Sequence, residues 1–187
     1  VPHQPISFYE APNRAELWNQ LDQECQNDCN YIVIPHNSNL SNGFMFEKPN
    51  QDEIYLQNIK EPLVEIFQHK GSSECATTSM DPLCNFEQLP YKDFRSKFQN
   101  DFSKPPKSSF VREALNTGLL LQSQQDINPF KLGIIGSTAT HFGTPGSVDE
   151  DNFLGGGGAG KSYRTKIPNG LPDDVEFNPG GLAVVWA

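Results

Sequence analysis

The chain reads as an α/β protein with parallel strands, and three observations carry that reading. Short apolar runs at Tyr31-Ile-Val-Ile-Pro35, Pro62-Leu-Val-Glu-Ile-Phe67 and Lys131-Leu-Gly-Ile-Ile135 have the length and bounding turn residues of buried strands. Helix-periodic segments lie between them. Two of the runs pass directly into polar loops that carry a histidine, His36 and His141. In an α/β barrel, side chains converge at that C-terminal face of the strands.

In chain order, residues 1–12 are extended, with Pro2, Pro5 and Pro12. Asn13 opens a helix: Asn-Arg-Ala-Glu16 has capping-box spacing, and Leu17, Trp18 and Leu21 form one apolar face. The helix ends near Cys25, and residues 27–30 turn the chain into a strand at 31–35. Residues 37–50 form a polar loop carrying Phe44, Met45 and Phe46, and 51–60 form a short amphipathic helix with Ile54, Tyr55 and Ile59. The strand at 62–67 follows, with Glu65 in its middle, then a long excursion over 68–107. Ser109 starts the longest helix, from Phe110 to about Gln124, with Val111, Ala114, Leu115 and Leu119 on one side. After the strand at 131–135, residues 142–180 make an extended loop rich in Gly and Pro, and Gly181-Leu-Ala-Val-Val-Trp-Ala187 is a last apolar strand. Four strands are too few to close a barrel, and an open parallel edge leaves backbone groups unpaired, so the sheet is expected to need more chain than these residues.

Composition narrows the function. Lys and Arg number 14 against 23 Asp and Glu, a net charge of -9, with no basic stripe, which argues against nucleic acid as a partner. No apolar run approaches the roughly 18 residues of a membrane-spanning helix. The chain opens on Val1 without a charged-then-apolar leader, so export is not read from a signal peptide. Gly and Pro, 15 of each, gather in long loops of the kind that carry function. The cysteines fall as near neighbours, Cys25 with Cys29 and Cys75 with Cys84. Neither spacing suits structural zinc, which leaves free thiols or local disulfides formed in an oxidising, periplasmic or secreted, setting.

Gly155-Gly-Gly-Gly-Ala-Gly160-Lys161-Ser162 satisfies the phosphate-loop pattern. That loop works between a strand and the start of a helix. Here acidic Asp149-Glu-Asp-Asn152 precedes it and Pro168 and Gly170 follow, so the context for nucleotide binding is missing.

His36 is a better candidate, because Pro35 before it and Asn37, Ser38 and Asn39 after it make a rigid polar turn suited to a metal ligand. His141 gains in the same way from its Gly136-Ser137-Thr138 loop. Glu65 is costly to bury unpaired and must meet a metal, a donor or a cation; Arg14, Arg95 and Arg112 are the arginines available to a core. His69 and Glu74, after the same strand, can point into the same mouth, whereas Asp81, Asp149, Glu150 and Asp151 read as solvated loop acids.

The stretches IPHNSNLSNGFMF (34–46), EPLVEIFQHKGSSEC (61–75), FVREALNTGL (110–119), NPFKLGIIGSTATHFGTPG (128–146) and FNPGGLAVVWA (177–187) resemble the bacterial domain-of-unknown-function family 3604. That family is similar to the polymerase-and-histidinol-phosphatase (PHP) metallohydrolases. The resemblance implies part of a distorted PHP-like β/α barrel with long irregular loops and a small cluster of zinc, manganese or iron. It also implies metal-dependent hydrolysis, of phosphoester or related bonds, of a small-molecule substrate that it does not name. It gives His36 and His141 the part of metal ligands and Glu65 that of a ligand or of a group orienting one, with His69, Glu74 and Asn37 as possible additions. Two departures stand out: Ala139 replaces the aspartate of an Asp-x-His pair, and the family's earlier ligand blocks have no counterpart here. Residues 1–187 are therefore expected to be a single partial domain, the C-terminal portion of a barrel whose remainder, on the same or a separate chain, is its partner. The competing expectation is a periplasmic or secreted binding or structural protein that keeps the barrel with its chemistry impaired.

Overall fold

The computed structural model describes residues 4–88, 105–139 and 180–186. Among these residues the fold is a mixed α/β arrangement of three α-helices and a three-stranded sheet. Helix α1 spans Arg14–Glu24, α2 Gln51–Lys60 and α3 Val111–Gln125; strands are β1 Leu63–Gln68, β2 Gly71–Ser72 and β3 Gly133–Gly136. The sheet order is β2-β1-β3. β1 and β2 form an antiparallel hairpin, with Phe67 opposite Ser72. β1 and β3 run parallel, Leu63 beside Gly133 and Glu65 beside Ile135, with a register shift before Phe67 meets Gly136.

Local chemistry accounts for the helices. Asn13 caps α1 by accepting from the Glu16 N–H at 3.0 Å, while its own amide donates to the Glu16 carboxylate at 2.7 Å. Asn50 and Glu53 complete a reciprocal capping box on α2. The first N–H groups of α3 are satisfied from outside the helix: Val111 donates to Ser73 O at 3.0 Å and Arg112 to Glu74 O at 2.9 Å. The core gathers Phe46, Ile54, Val64, Val111, Ala114, Leu121 and Phe130, with the Phe46 and Phe130 rings edge to face at 6.1 Å. On β1, Val64 turns into this core and Glu65 turns the other way, as strand alternation requires.

Both cysteine pairs are disulfides, Cys25–Cys29 and Cys75–Cys84, which closes the alternative of free thiols. No helix among the described residues is long and apolar enough to cross a membrane.

Several expectations change. Residues 31–35 run extended beside β1, held by Val33 N–H to Lys60 O and Glu65 N–H to Pro35 O, both 2.9 Å, without becoming a strand. Pro35 has no N–H to continue a ladder, and Ile32 lies exposed. β3 is an edge strand, not a buried one: Ile134 is 49% exposed. The described part of the terminal segment is not a strand, and Leu182, Val184, Val185 and Trp186 are exposed. On α2 the inward residues are Ile54 and the polar Gln57, which donates to buried Glu61 at 3.1 Å, while Tyr55 and Ile59 face out. On α3 Leu119 is exposed and Gly118 buried, since a side chain at 118 would overlap Asn128 in the turn that brings Phe130 into the core. The expected loop at 142–180 falls outside the described residues except for Gly180.

Candidate functional site

The parallel pair β1 and β3 ends where three segments of chain meet around one carboxylate. Glu65 is buried, 5% exposed. The Ser137 hydroxyl, just past β3, donates to Glu65 Oε1, and the Gln68 amide donates to Oε2. The same Gln68 nitrogen donates to the backbone carbonyl of His36 at 3.2 Å, so the histidine turn and the carboxylate share one bridging amide. A carboxylate held by two donors is oriented as well as buried.

Among the described residues, the basic side chain that faces it is a lysine and not an arginine. Arg112 pairs with Glu74 and Asp81, and Arg14 donates to Glu47 O at 2.5 Å. Arg95 lies outside the described residues. Lys70, 2% exposed, stands within electrostatic reach of Glu65. Its amino group donates to Asn39 Oδ1 at 2.6 Å and Ser73 Oγ at 2.9 Å. Burial pulls its pKa down to about 7, and the charge of Glu65 acts in the opposite direction.

His36 itself is exposed, with Nδ1 3.2 Å from the carbonyl oxygen of Ile34. A carbonyl can only accept, so this contact places a proton on Nδ1, and a metal would have to bind through Nε2. Asn37 is half-buried at the start of a 3-10 turn over Ser38–Leu40, and His69 is half-buried directly after β1. Gly180 and Gly181 lie across the strand ends: the Gly181 N–H donates to Ser137 O at 2.8 Å, and Gly181 packs on Gly136.

The structure thus brings Glu65 and the His36 turn together. It gives Glu74 a different partner, an ion pair with Arg112 at the start of α3, and Asp81, a loop acid at the surface, joins that pair. His141 and Lys161 lie outside the described residues, and Ala139 sits at the border with a left-handed φ of 49°. Among the described residues no three His, Cys, Asp or Glu side chains cluster closely enough to hold a metal ion. His36 and Glu65 are donors of the types that a mixed imidazole and carboxylate metal site uses.

Sequence reasoning missed Gln68, Lys70 and Ser137. Ser137 was visible inside the Gly-Ser-Thr stretch, but its tie to Glu65 spans chain too distant for spacing to show. Lys70 sits in a polar turn, where a lysine is ordinarily solvated.

A family model, described as a protein of unknown function (DUF3604), matches residues 2–187. The chain belongs to the DUF3604 family. No curated protein and no solved structure matches it. The DUF3604 match takes in the His36 turn, the Glu65 strand and the Ser137 loop together.

Proposed function

We propose that this DUF3604 chain forms part of a PHP-like, metal-dependent hydrolase acting on phosphoester bonds of a small molecule. The observation that carries the reading is Glu65, a buried carboxylate in the middle of β1, oriented by Ser137 just past β3 and by Gln68, and joined through Gln68 to the turn of His36. His36 Nε2, Glu65 and His141 would hold zinc, manganese or iron, the ions suited to a mixed His and carboxylate set. Asn37 directly follows His36 in the chain, and His69 directly follows β1, the strand that carries Glu65. The chemistry supplied by such a metal is polarisation of a phosphoryl oxygen and activation of water near neutral pH. The chain's own residues do the rest: Gln68 and Ser137 fix the carboxylate, and Lys70 offsets its charge.

The exposed edge of β3 at Ile134 supports a place in a larger β/α barrel, where parallel strands are covered. The two disulfides support maturation in the periplasm or outside the cell.

A second reading, a binding or structural protein with impaired chemistry, is favoured by Ala139, which offers no donor beside the candidate histidine. Metal analysis of the full chain, paired with hydrolysis of a nitrophenyl phosphodiester, separates the two. Stoichiometric transition metal that falls in His36→Ala and Glu65→Gln, with turnover falling in parallel, is expected. Substoichiometric metal together with no turnover would sink the hydrolase.

A further inference from the structure

Lys70 is a buried basic side chain that the proposed chemistry needs only as a distant charge, yet it is tied to two separate segments. Its amino group donates at 2.6 Å to Asn39, in the 3-10 turn that follows His36, and at 2.9 Å to Ser73, just beyond β2. Asn39 answers with its own amide, which donates to Ser72 O at 3.4 Å. Ser38, Asn39 and Leu40 are all buried, while His36 is exposed. The imidazole therefore stands on a turn anchored from below, and Lys70 reaches that turn from the β1–β2 hairpin. Two donated hydrogen bonds are available from an amine or an ammonium alike, so the tether does not depend on protonation.

We infer that Lys70 is a positioning residue for His36: it ties the turn at residues 37–40 to the β1–β2 hairpin and so fixes where the imidazole stands relative to Glu65. A hydrocarbon of the same length fills the space but leaves Asn39 Oδ1 and Ser73 Oγ without their donor in a buried place. Gln68, bonded to the His36 carbonyl, is a second anchor on the same turn, placed one residue from His69 and two from Lys70. Lys70 holds the turn in this way whether or not a metal occupies the site.

The test uses the full chain, isotopically labelled, as wild type, Lys70→Met, Asn39→Ala, the double variant, and Ile54→Val as a core control remote from the tether. The readouts are the His36 ring nitrogen signals and the hydrogen-exchange rate of the Leu40 amide, which closes the turn on Asn37 O. Lys70→Met and Asn39→Ala are each expected to move the His36 signals away from the Nδ1–H form. Each should also speed Leu40 exchange by about tenfold, the scale of one lost buried hydrogen bond. The double variant should go little further than either single one, because both remove the same tether. Ile54→Val should leave both readouts in place. His36 signals in Lys70→Met that superimpose on wild type, or that move as much in Ile54→Val, overturn the assignment. Should Lys70→Met fail to fold, Asn39→Ala decides by the same two readouts.

Discussion

Ser137 and Glu65, 72 residues apart in the chain, share a hydrogen bond at the end of the parallel strand pair. The bond joins the loop after β3 to the middle of β1, and it gives one oxygen of a buried carboxylate its donor. Orientation of the carboxylate therefore rests on the loop after β3 for one oxygen and on Gln68 of β1 itself for the other.

Removing that hydroxyl leaves Glu65 Oε1 without this donor in a place water reaches poorly. Ser137→Ala is expected to destabilise the fold by about 1–3 kcal/mol, the usual cost of orphaning a buried acceptor. Urea unfolding of the two proteins checks it; equal midpoints and slopes would mean that the hydroxyl does not support the carboxylate. Adding Glu65→Gln should recover part of the loss, since the neutral amide needs the donor less.

Lys70 makes stability depend on pH with a definite sign. Its folded-state pKa is about 7, against an ordinary 10.5. Between those values the unfolded chain binds a proton that the folded chain does not, so the contribution of Lys70 to stability rises with pH across that window. Below the folded pKa both states hold the proton and the slope vanishes. The rise is at most about 1.4 kcal/mol per pH unit. Unfolding of wild type and Lys70→Met, measured from about pH 6 to about pH 9, should show the wild type gaining on the variant as pH increases. A constant difference over that range would contradict a depressed pKa.

The parts of this fold that local chemistry decides were legible in the sequence. Asn13 with Glu16 marked the start of α1, and the apolar run around Glu65 marked β1 and its buried acid. What distant chain decides was not legible. Pro35 denies residues 31–35 a full ladder, a cost that depends on which neighbour lies alongside. The inward face of α2 carries Gln57 because Glu61 waits one turn on, so apolar periodicity pointed to Tyr55 and Ile59 instead. At the site the same division holds. His36 and Glu65 stood out as single residues, whereas Gln68 and Lys70 matter only through partners supplied by the turn at 36–39.

Ala139 holds a φ of 49°, a left-handed conformation that a Cβ disfavours by about 1–2 kcal/mol. Ala139→Gly relieves that strain while making the unfolded chain freer, an opposing effect of somewhat under 1 kcal/mol. The net expectation is a small gain, about 0.5–1 kcal/mol, read as a higher unfolding midpoint. Ala139→Asn should gain as well, because asparagine tolerates this region. Ala139→Val should lose, since a branched side chain tolerates it least. A reversed order among the three would show that the backbone here is not left-handed in solution.

Gly180 offers the sharpest separation between local and global effects. Its φ is 78°, and a Cβ there would lie 2.5 Å from the Ser137 carbonyl oxygen and 3.1 Å from the His69 backbone nitrogen. Neither neighbour is the flexible end of a side chain, so the strain falls on backbone that cannot yield cheaply. Gly180→Ala is therefore expected to lift the segment off the strand ends and to break the Gly181 N–H to Ser137 O bond. The helices and core, which do not touch residue 180 through that bond, should keep their unfolding behaviour within about 1 kcal/mol, because the change is confined to a local unfolding unit. Hydrogen exchange reports the distinction directly. In Gly180→Ala the Gly181 amide should exchange far faster than in wild type, while amides in the middle of α3, such as Leu121, stay protected. Unchanged protection at Gly181 would mean that the segment is held by something other than this close packing of backbone on backbone.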